Sequence, residues 1–169
     1  TNPGNPTGVV LSPEEMRLMA DIAKEHGLFL ISDEVYREFV YGGEPLASMA
    51  QFDDAAENVV VVDSISKRFS ACGARVGILV SRNRELMAQA LKICQGRLCA
   101  ATLDQLGAAA LYGVGSDYFS AVREEYHRRR DTCMEGLSQI PGVVCECPKG
   151  AFYLMAKLPV DDTDKFQTW

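Results

Sequence analysis

Histidine is scarce in this chain of 169 residues, and no Cys-x-x-Cys pair occurs. A structural zinc site needs several Cys and His ligands at closing distance, whereas His26 and His127 stand far apart, so no metal site is expected. No uninterrupted apolar run approaches the roughly 20 residues of a bilayer span, and no signal-peptide pattern opens the chain, so no membrane partner is expected. An excess of positive charge is also missing. The 17 basic residues face 23 acidic ones, a net charge of −6 with a pI near 4.9, which argues against nucleic acid or an anionic membrane surface as the main partner.

The composition that remains, 47% apolar and 24% charged, is that of a soluble globular chain long enough to bury a core without staples. Its six cysteines (Cys72, Cys94, Cys99, Cys133, Cys145 and Cys147) lie scattered among apolar neighbours. They read as buried free thiols of a protein from a reducing, cytoplasmic compartment. The chain opens on Thr1 in a turn-rich stretch and closes on Phe166-Gln167-Thr168-Trp169, which reads as the start of a helix after Asp161-Asp162-Thr163-Asp164. Domain boundaries fall in polar linkers, and neither end resembles one, so a fragment is expected.

Ser12-Pro13-Glu14-Glu15 carries a helix start, with serine as N-cap, proline in the first turn and two acids beside it. Met16, Met19, Ala20 and Ala23 follow at helical spacing, and Gly27 closes the element. Leu28–Ile31 and Val59–Val62 are short apolar runs of the kind found in strands buried on both faces, with a turn over Tyr41-Gly42-Gly43-Glu44-Pro45 between them. Arg75–Ser81 reads as a further strand. Helices between apolar strands predict an α/β fold with a mostly parallel sheet.

Helices are predicted over Arg84–Gln95 and Leu103–Tyr112, separated by Gly96. A longer one starts at Ser116-Asp117, with Phe119, Val122, Tyr126, Cys133, Leu137 and Ile140 along one face. The run His127-Arg128-Arg129-Arg130 reads as a solvated helix face pairing with Glu124, Glu125 and Glu135. Pro141-Gly142 ends that helix, and Val143–Glu146 with Ala151–Ala156 read as a hairpin. The division that follows is a large domain over 1–115, a long helix over 116–140 and the beginning of a smaller α+β domain over 141–169.

Ligands of open parallel sheets bind at the carboxyl ends of the strands. Ser32-Asp33-Glu34-Val35-Tyr36 follows one apolar run, and Asp63-Ser64-Ile65-Ser66-Lys67-Arg68 follows the other. The opening Asn/Pro/Gly turn precedes the first helix, where an earlier strand would end. Each cluster alone has a plain structural reading, as a turn, a helix cap or an exposed lysine; together they suggest one pocket. Ser64-Ile65-Ser66-Lys67 matches the Ser-x-x-Lys motif of penicillin-recognising acyl transferases, but the companion motifs Ser-Asp-Asn and Lys-Thr-Gly are missing. The other reading makes Lys67 a Schiff-base amine, since a lysine in a dry pocket loses its proton readily and condenses with an aldehyde. Pyridoxal 5′-phosphate is such an aldehyde. Its ring nitrogen wants a carboxylate, its phenolate oxygen wants donors, and its phosphate wants hydroxyl and guanidinium groups. Asp33, then Asn5 and Tyr36, then Ser64 and Arg75 offer these in turn.

Asn2-Pro3-Gly4-Asn5-Pro6-Thr7-Gly8, Ser32-Asp33-Glu34-Val35-Tyr36 and Ser64-Ile65-Ser66-Lys67 with Arg75-Val76-Gly77 occur in one order along the chain. Together they resemble the class I/II aminotransferases of the aspartate aminotransferase fold, the fold-type I pyridoxal-phosphate enzymes. Pro148-Lys149-Gly150-Ala151-Phe152-Tyr153 resembles the opening of that family's small domain, so the resemblance runs along essentially the whole chain.

The resemblance implies a transferase exchanging an amino group between an amino acid and a 2-oxo acid in a homodimer. Lys67 would form the internal aldimine and shuttle the substrate proton. Asp33 would hold the pyridine nitrogen protonated, Asn5 and Tyr36 would bond the phenolate oxygen, and Ser64 and Arg75 would bind the phosphate. Ser66 is a further phosphate candidate or a local turn bond. The family's second phosphate-binding turn, the aromatic that stacks on the ring and the arginine that grips the substrate carboxylate have no counterpart here. The expectation is therefore a piece inactive alone. Carbon–sulfur lyases use the same motif set, and some regulators use the fold as a ligand sensor, so those readings stay open. Substrate choice is not fixed; Arg97, read as lying in a loop, is the one candidate for a second substrate carboxylate.

Overall fold

The computed structural model describes residues 1–43 and 47–169. The predicted turn over Tyr41–Pro45 lies partly outside the described residues. Helix α1 (Pro13–Glu25) begins as the sequence predicts. Ser12 accepts from the Glu15 amide at 3.2 Å while the Glu15 carboxylate accepts from the Ser12 amide at 2.7 Å, a reciprocal capping box. Gly27, at φ +61°, turns the chain out of the helix in a left-handed conformation that a residue without a Cβ adopts at little cost.

Strand β1 (Leu30–Asp33) pairs in parallel with β2 (Val59–Ser64), and β2 pairs antiparallel with β3 (Gly77–Ser81). The three-stranded sheet has the order β1-β2-β3 and is therefore mixed. Strand β1 starts two residues later than the apolar run suggests, because the Leu28 amide is used to bond the Ala23 carbonyl at the end of α1. Leu28, Phe29 and Ile31 are exposed, which corrects the expectation of a strand buried on both faces. Beneath the sheet, Met16 and Ala20 of α1 pack against Val59, Val61, Met49 and Ala55.

Helix α2 (Ile65–Arg68) follows β2 directly, capped by Ser64. Helix α3 (Arg84–Arg97) runs through Gly96, and the break comes at Leu98, whose φ is +70°. A single glycine costs a helix only about 1 kcal/mol, which explains why Gly96 does not stop it. Helix α4 (Thr102–Leu111) and the long α5 (Ser116–Ser138) follow. On α5, Arg128 and Arg129 both pair with Glu125, and Arg130 and His127 reach Asp131. The basic run is therefore neutralised on its own helix, by Glu125 and Asp131 in place of Glu124 and Glu135.

The predicted hairpin shrinks to two-residue strands, β4 (Val144–Cys145) and β5 (Ala156–Lys157), paired antiparallel, and a short α6 (Thr163–Thr168) follows. Cysteines 72, 94, 99, 133 and 147 are exposed and Cys145 is half-buried, which corrects the expectation of buried thiols. Helix α3 buries none of its side chains, so its Cys94 has no apolar packing to enter. Among the described residues, no helix is long and apolar enough to cross a membrane.

Candidate functional site

Asp33 ends β1 and Ser64 ends β2, so the carboxyl ends of two adjacent parallel strands deliver a carboxylate and a hydroxyl side by side. Asp33 accepts from the Val35 amide at 3.2 Å, a local turn that fixes the carboxylate's direction. Ser64 caps α2: its hydroxyl accepts from the Ser66 amide at 3.0 Å and lies 2.7 Å from the Ser66 hydroxyl. Ser66 is thus held in a local turn bond. One helical turn onward, half-buried Lys67 has no hydrogen-bond or ion-pair partner among the described residues. Its ammonium lies 5.9 Å from the centre of the Phe152 ring.

Arg75 adopts the left-handed region at φ +56°, a conformation that costs a non-glycine residue roughly 1 kcal/mol or more. Its guanidinium donates to the Cys72 carbonyl at 3.1 Å and makes no ion pair among the described residues. Behind α2, Asp63 pairs with Arg68, which also reaches Glu38 at 3.7 Å. Burial pushes the Asp63 carboxyl up; its bond from the Ser64 amide and the Arg68 guanidinium pull the other way.

From the chain's start, Asn5 donates to the Tyr36 hydroxyl at 3.4 Å. Tyr36 is buried, and burial pushes its phenol above the ordinary tyrosine range. Glu34, between Asp33 and Tyr36, is buried as well and accepts from Ser32 (3.1 Å), Ser48 (3.0 Å) and the Met49 amide (2.9 Å). This carboxylate anchors the segment that carries both neighbours.

Asn5, Asp33, Tyr36, Ser64, Lys67 and Arg75 all line one cleft of about 360 Å³, with Ser66, Thr1, Val35 and Cys72 completing it. Every residue nominated from the sequence for the cofactor reaches that cleft. Arg97 does not; it is the last residue of α3, exposed, rather than a loop residue. Sequence reasoning missed two aromatic residues beside the cleft. Phe152 stands at right angles to the Tyr36 ring with centroids 5.2 Å apart, and the Tyr153 hydroxyl is 2.5 Å from that of Tyr36. The only signal for them was their place just after Pro148-Lys149-Gly150.

The model of the family described as "Aminotransferase class I and II" matches residues 1–168. The chain belongs to that aminotransferase family. An aspartate aminotransferase of Musicola paradisiaca is 35% identical over 173 residues, covering 99% of this chain and 43% of the relative. One from Bacillus subtilis is 33% identical over 154 residues, covering 90% of the chain and 39% of the relative. Among solved structures, an N-succinyldiaminopimelate aminotransferase from Mycobacterium tuberculosis superposes with a TM-score of 0.84 at 32% identity, over 97% of this chain and 43% of the other. This class I and II aminotransferase chain therefore has the aspartate aminotransferase fold, and spans about two-fifths of the length of the curated relatives it matches.

Proposed function

We propose that this chain carries the cofactor-binding half of a pyridoxal-phosphate-dependent aminotransferase, which moves an amino group between an amino acid and a 2-oxo acid. The observation that carries the reading is the convergence of Asp33, Asn5, Tyr36, Ser64, Lys67 and Arg75 on one cleft. The donor set fits pyridoxal 5′-phosphate group by group. A volume of about 360 Å³ lies within the roughly 300–1,000 Å³ of small-molecule sites. When bound, that cofactor supplies an aldehyde that captures amines and a ring that takes up the electron pair released at the substrate α-carbon.

The chain's own residues do the rest. Lys67 would present its amine to the aldehyde and, once free, would serve at the substrate α-carbon as general base and then general acid. Asp33 would accept from the protonated ring nitrogen and hold that proton there. Asn5 and Tyr36 donate to the phenolic oxygen of the ring. Ser64 and Arg75 bind the phosphate, the arginine as a permanently charged fork. The Phe152 ring, its centre 5.9 Å from the Lys67 side-chain nitrogen, is an apolar neighbour of that amine.

In this reading residues 1–115 belong to the large domain, 116–140 form the helix leading out of it, and 141–169 begin the small domain. The protein works as a cytoplasmic homodimer. Leu91 and Ile93 of α3 and Leu103 and Leu106 of α4, all exposed in this chain, support burial against further protein.

The natural-length protein, loaded with pyridoxal phosphate and given aspartate or an aromatic amino acid with 2-oxoglutarate, tests this by glutamate formation. Glutamate that depends on Lys67 supports the reading. Ammonia and 2-oxo acid released from a β-substituted amino acid, without glutamate, would instead mark lyase chemistry.

A further inference from the structure

Tyr36 holds one proton and can accept two hydrogen bonds, so its partners decide where that proton goes. The Asn5 amide takes one acceptor position, at 3.4 Å. The Tyr153 hydroxyl, 2.5 Å away, is the second partner, and either oxygen could donate. If Tyr36 donated to Tyr153, its only proton would be spent within the protein and nothing would remain for the cleft. If Tyr153 donates, both acceptor positions of Tyr36 are filled by the protein and its proton is left for the cleft.

The surroundings hold Tyr153 in place for this. Its ring stands edge-on to Tyr36 at 5.4 Å and tilts on Phe152 at 5.0 Å. The backbone just before it is tied to two other segments of the chain. The Lys149 and Gly150 amides each donate to the Gly8 carbonyl at 2.9 Å, the Tyr41 amide donates to the Lys149 carbonyl at 2.8 Å, and the Ala151 amide donates to the Phe39 carbonyl at 2.8 Å. Gly150 permits the approach: a Cβ there would meet Pro3 Cβ at 2.7 Å and the Phe39 carbonyl at 2.9 Å. Residues 149–151 are thus fastened to both the opening turn and the segment after β1, and Tyr153, two residues on, places its hydroxyl against that of Tyr36.

We propose that Tyr153 is a positioning residue for Tyr36, donating to its hydroxyl so that the Tyr36 proton is directed at the phenolic oxygen of the cofactor. The proposal rests on the pyridoxal-phosphate reading above. A donor behind a donor strengthens the second bond. Tyr153 therefore adds to the stabilisation of the cofactor's ionised phenol without touching the cofactor.

The test is a pH titration of the absorbance of pyridoxal phosphate bound to the natural-length protein. With Tyr153→Phe the midpoint of the chromophore rises by about one pH unit, because Tyr36 becomes a weaker donor. Tyr36→Phe raises it further, and Tyr153→His, whose ring N–H can donate, brings it back towards wild type. Tyr153→Leu gives the same comparison should Phe at this position impair folding. A midpoint unchanged in a folded variant without the 153 hydroxyl overturns the proposal and leaves Tyr153 a packing residue. Absence of any lysine-bound chromophore in the wild-type protein is a separate result, which overturns the cofactor reading and the proposal with it.

Discussion

The carbonyl of Gly8 accepts hydrogen bonds from the backbone of both Lys149 and Gly150, each 2.9 Å long. Gly8 belongs to the turn that carries Asn5, and Gly150 begins the segment that carries Phe152 and Tyr153. This clasp joins two segments far apart in the chain, one carrying a residue of the cleft and the other the aromatic pair beside it. Gly150 cannot carry a side chain there without displacing Pro3, Val10 or the Phe39 backbone. Gly150→Ala is therefore expected to destabilise the fold by about 1–3 kcal/mol, measured by urea denaturation.

Lys67 has no partner in the fold among the described residues, so its replacement should harm chemistry and leave stability alone. Lys67→Ala is expected to lower glutamate formation by at least on the order of 100-fold while the thermal midpoint stays at the wild-type value. A folded variant with full activity would remove Lys67 from the reaction.

Asp33 can be tested with its turn intact. Asn at this position keeps an oxygen for the Val35 amide but loses the charge that holds a proton on the ring nitrogen. Asp33→Asn is expected to cut turnover on the order of 100-fold, with cofactor still bound and the fold unchanged by circular dichroism.

Glu34 contributes to stability rather than to chemistry. Its carboxylate serves Ser32, Ser48 and the Met49 amide in a buried place. Glu34→Ala leaves those donors without an acceptor and should cost about 3 kcal/mol in denaturant unfolding.

Tyr41 gives stability an alkaline limit. Its buried hydroxyl donates to the Ala151 carbonyl at 2.6 Å, and burial pushes its pKa up to about 12 from an ordinary 10. The folded state therefore keeps the proton where the unfolded chain has lost it. This contribution is complete below pH 10 and disappears as the pH rises to about 12, a loss of roughly 3 kcal/mol. In Tyr41→Phe the same alkaline slope is expected to flatten, read from urea midpoints between pH 9 and about 12.

The elements differ in how far their own residues specify them. The start of α1 was legible because Ser12, Pro13 and Glu15 act locally, within one turn. The cleft residues were legible because three short motifs each sit at the end or the start of an element, and parallel pairing of β1 with β2 brings such ends together. Strand β1 was misplaced by two residues because the Leu28 amide goes to the end of α1, a choice that apolar pattern does not record. The cysteines were misjudged because apolar neighbours along the chain do not mean apolar neighbours in space; α3 buries nothing. Tyr153 was missed because its partner lies 117 residues away and is met only through packing. Local chemistry was readable, and contacts made across the chain were not.

The central claim is that Lys67 holds pyridoxal phosphate. Borohydride reduction of the natural-length protein with added cofactor, followed by peptide mapping in a mass spectrometer, tests it most directly. The reduced pyridoxyl group is expected on Lys67, directly after Ser64-Ile65-Ser66. Label on another lysine, or no label at all, would contradict it.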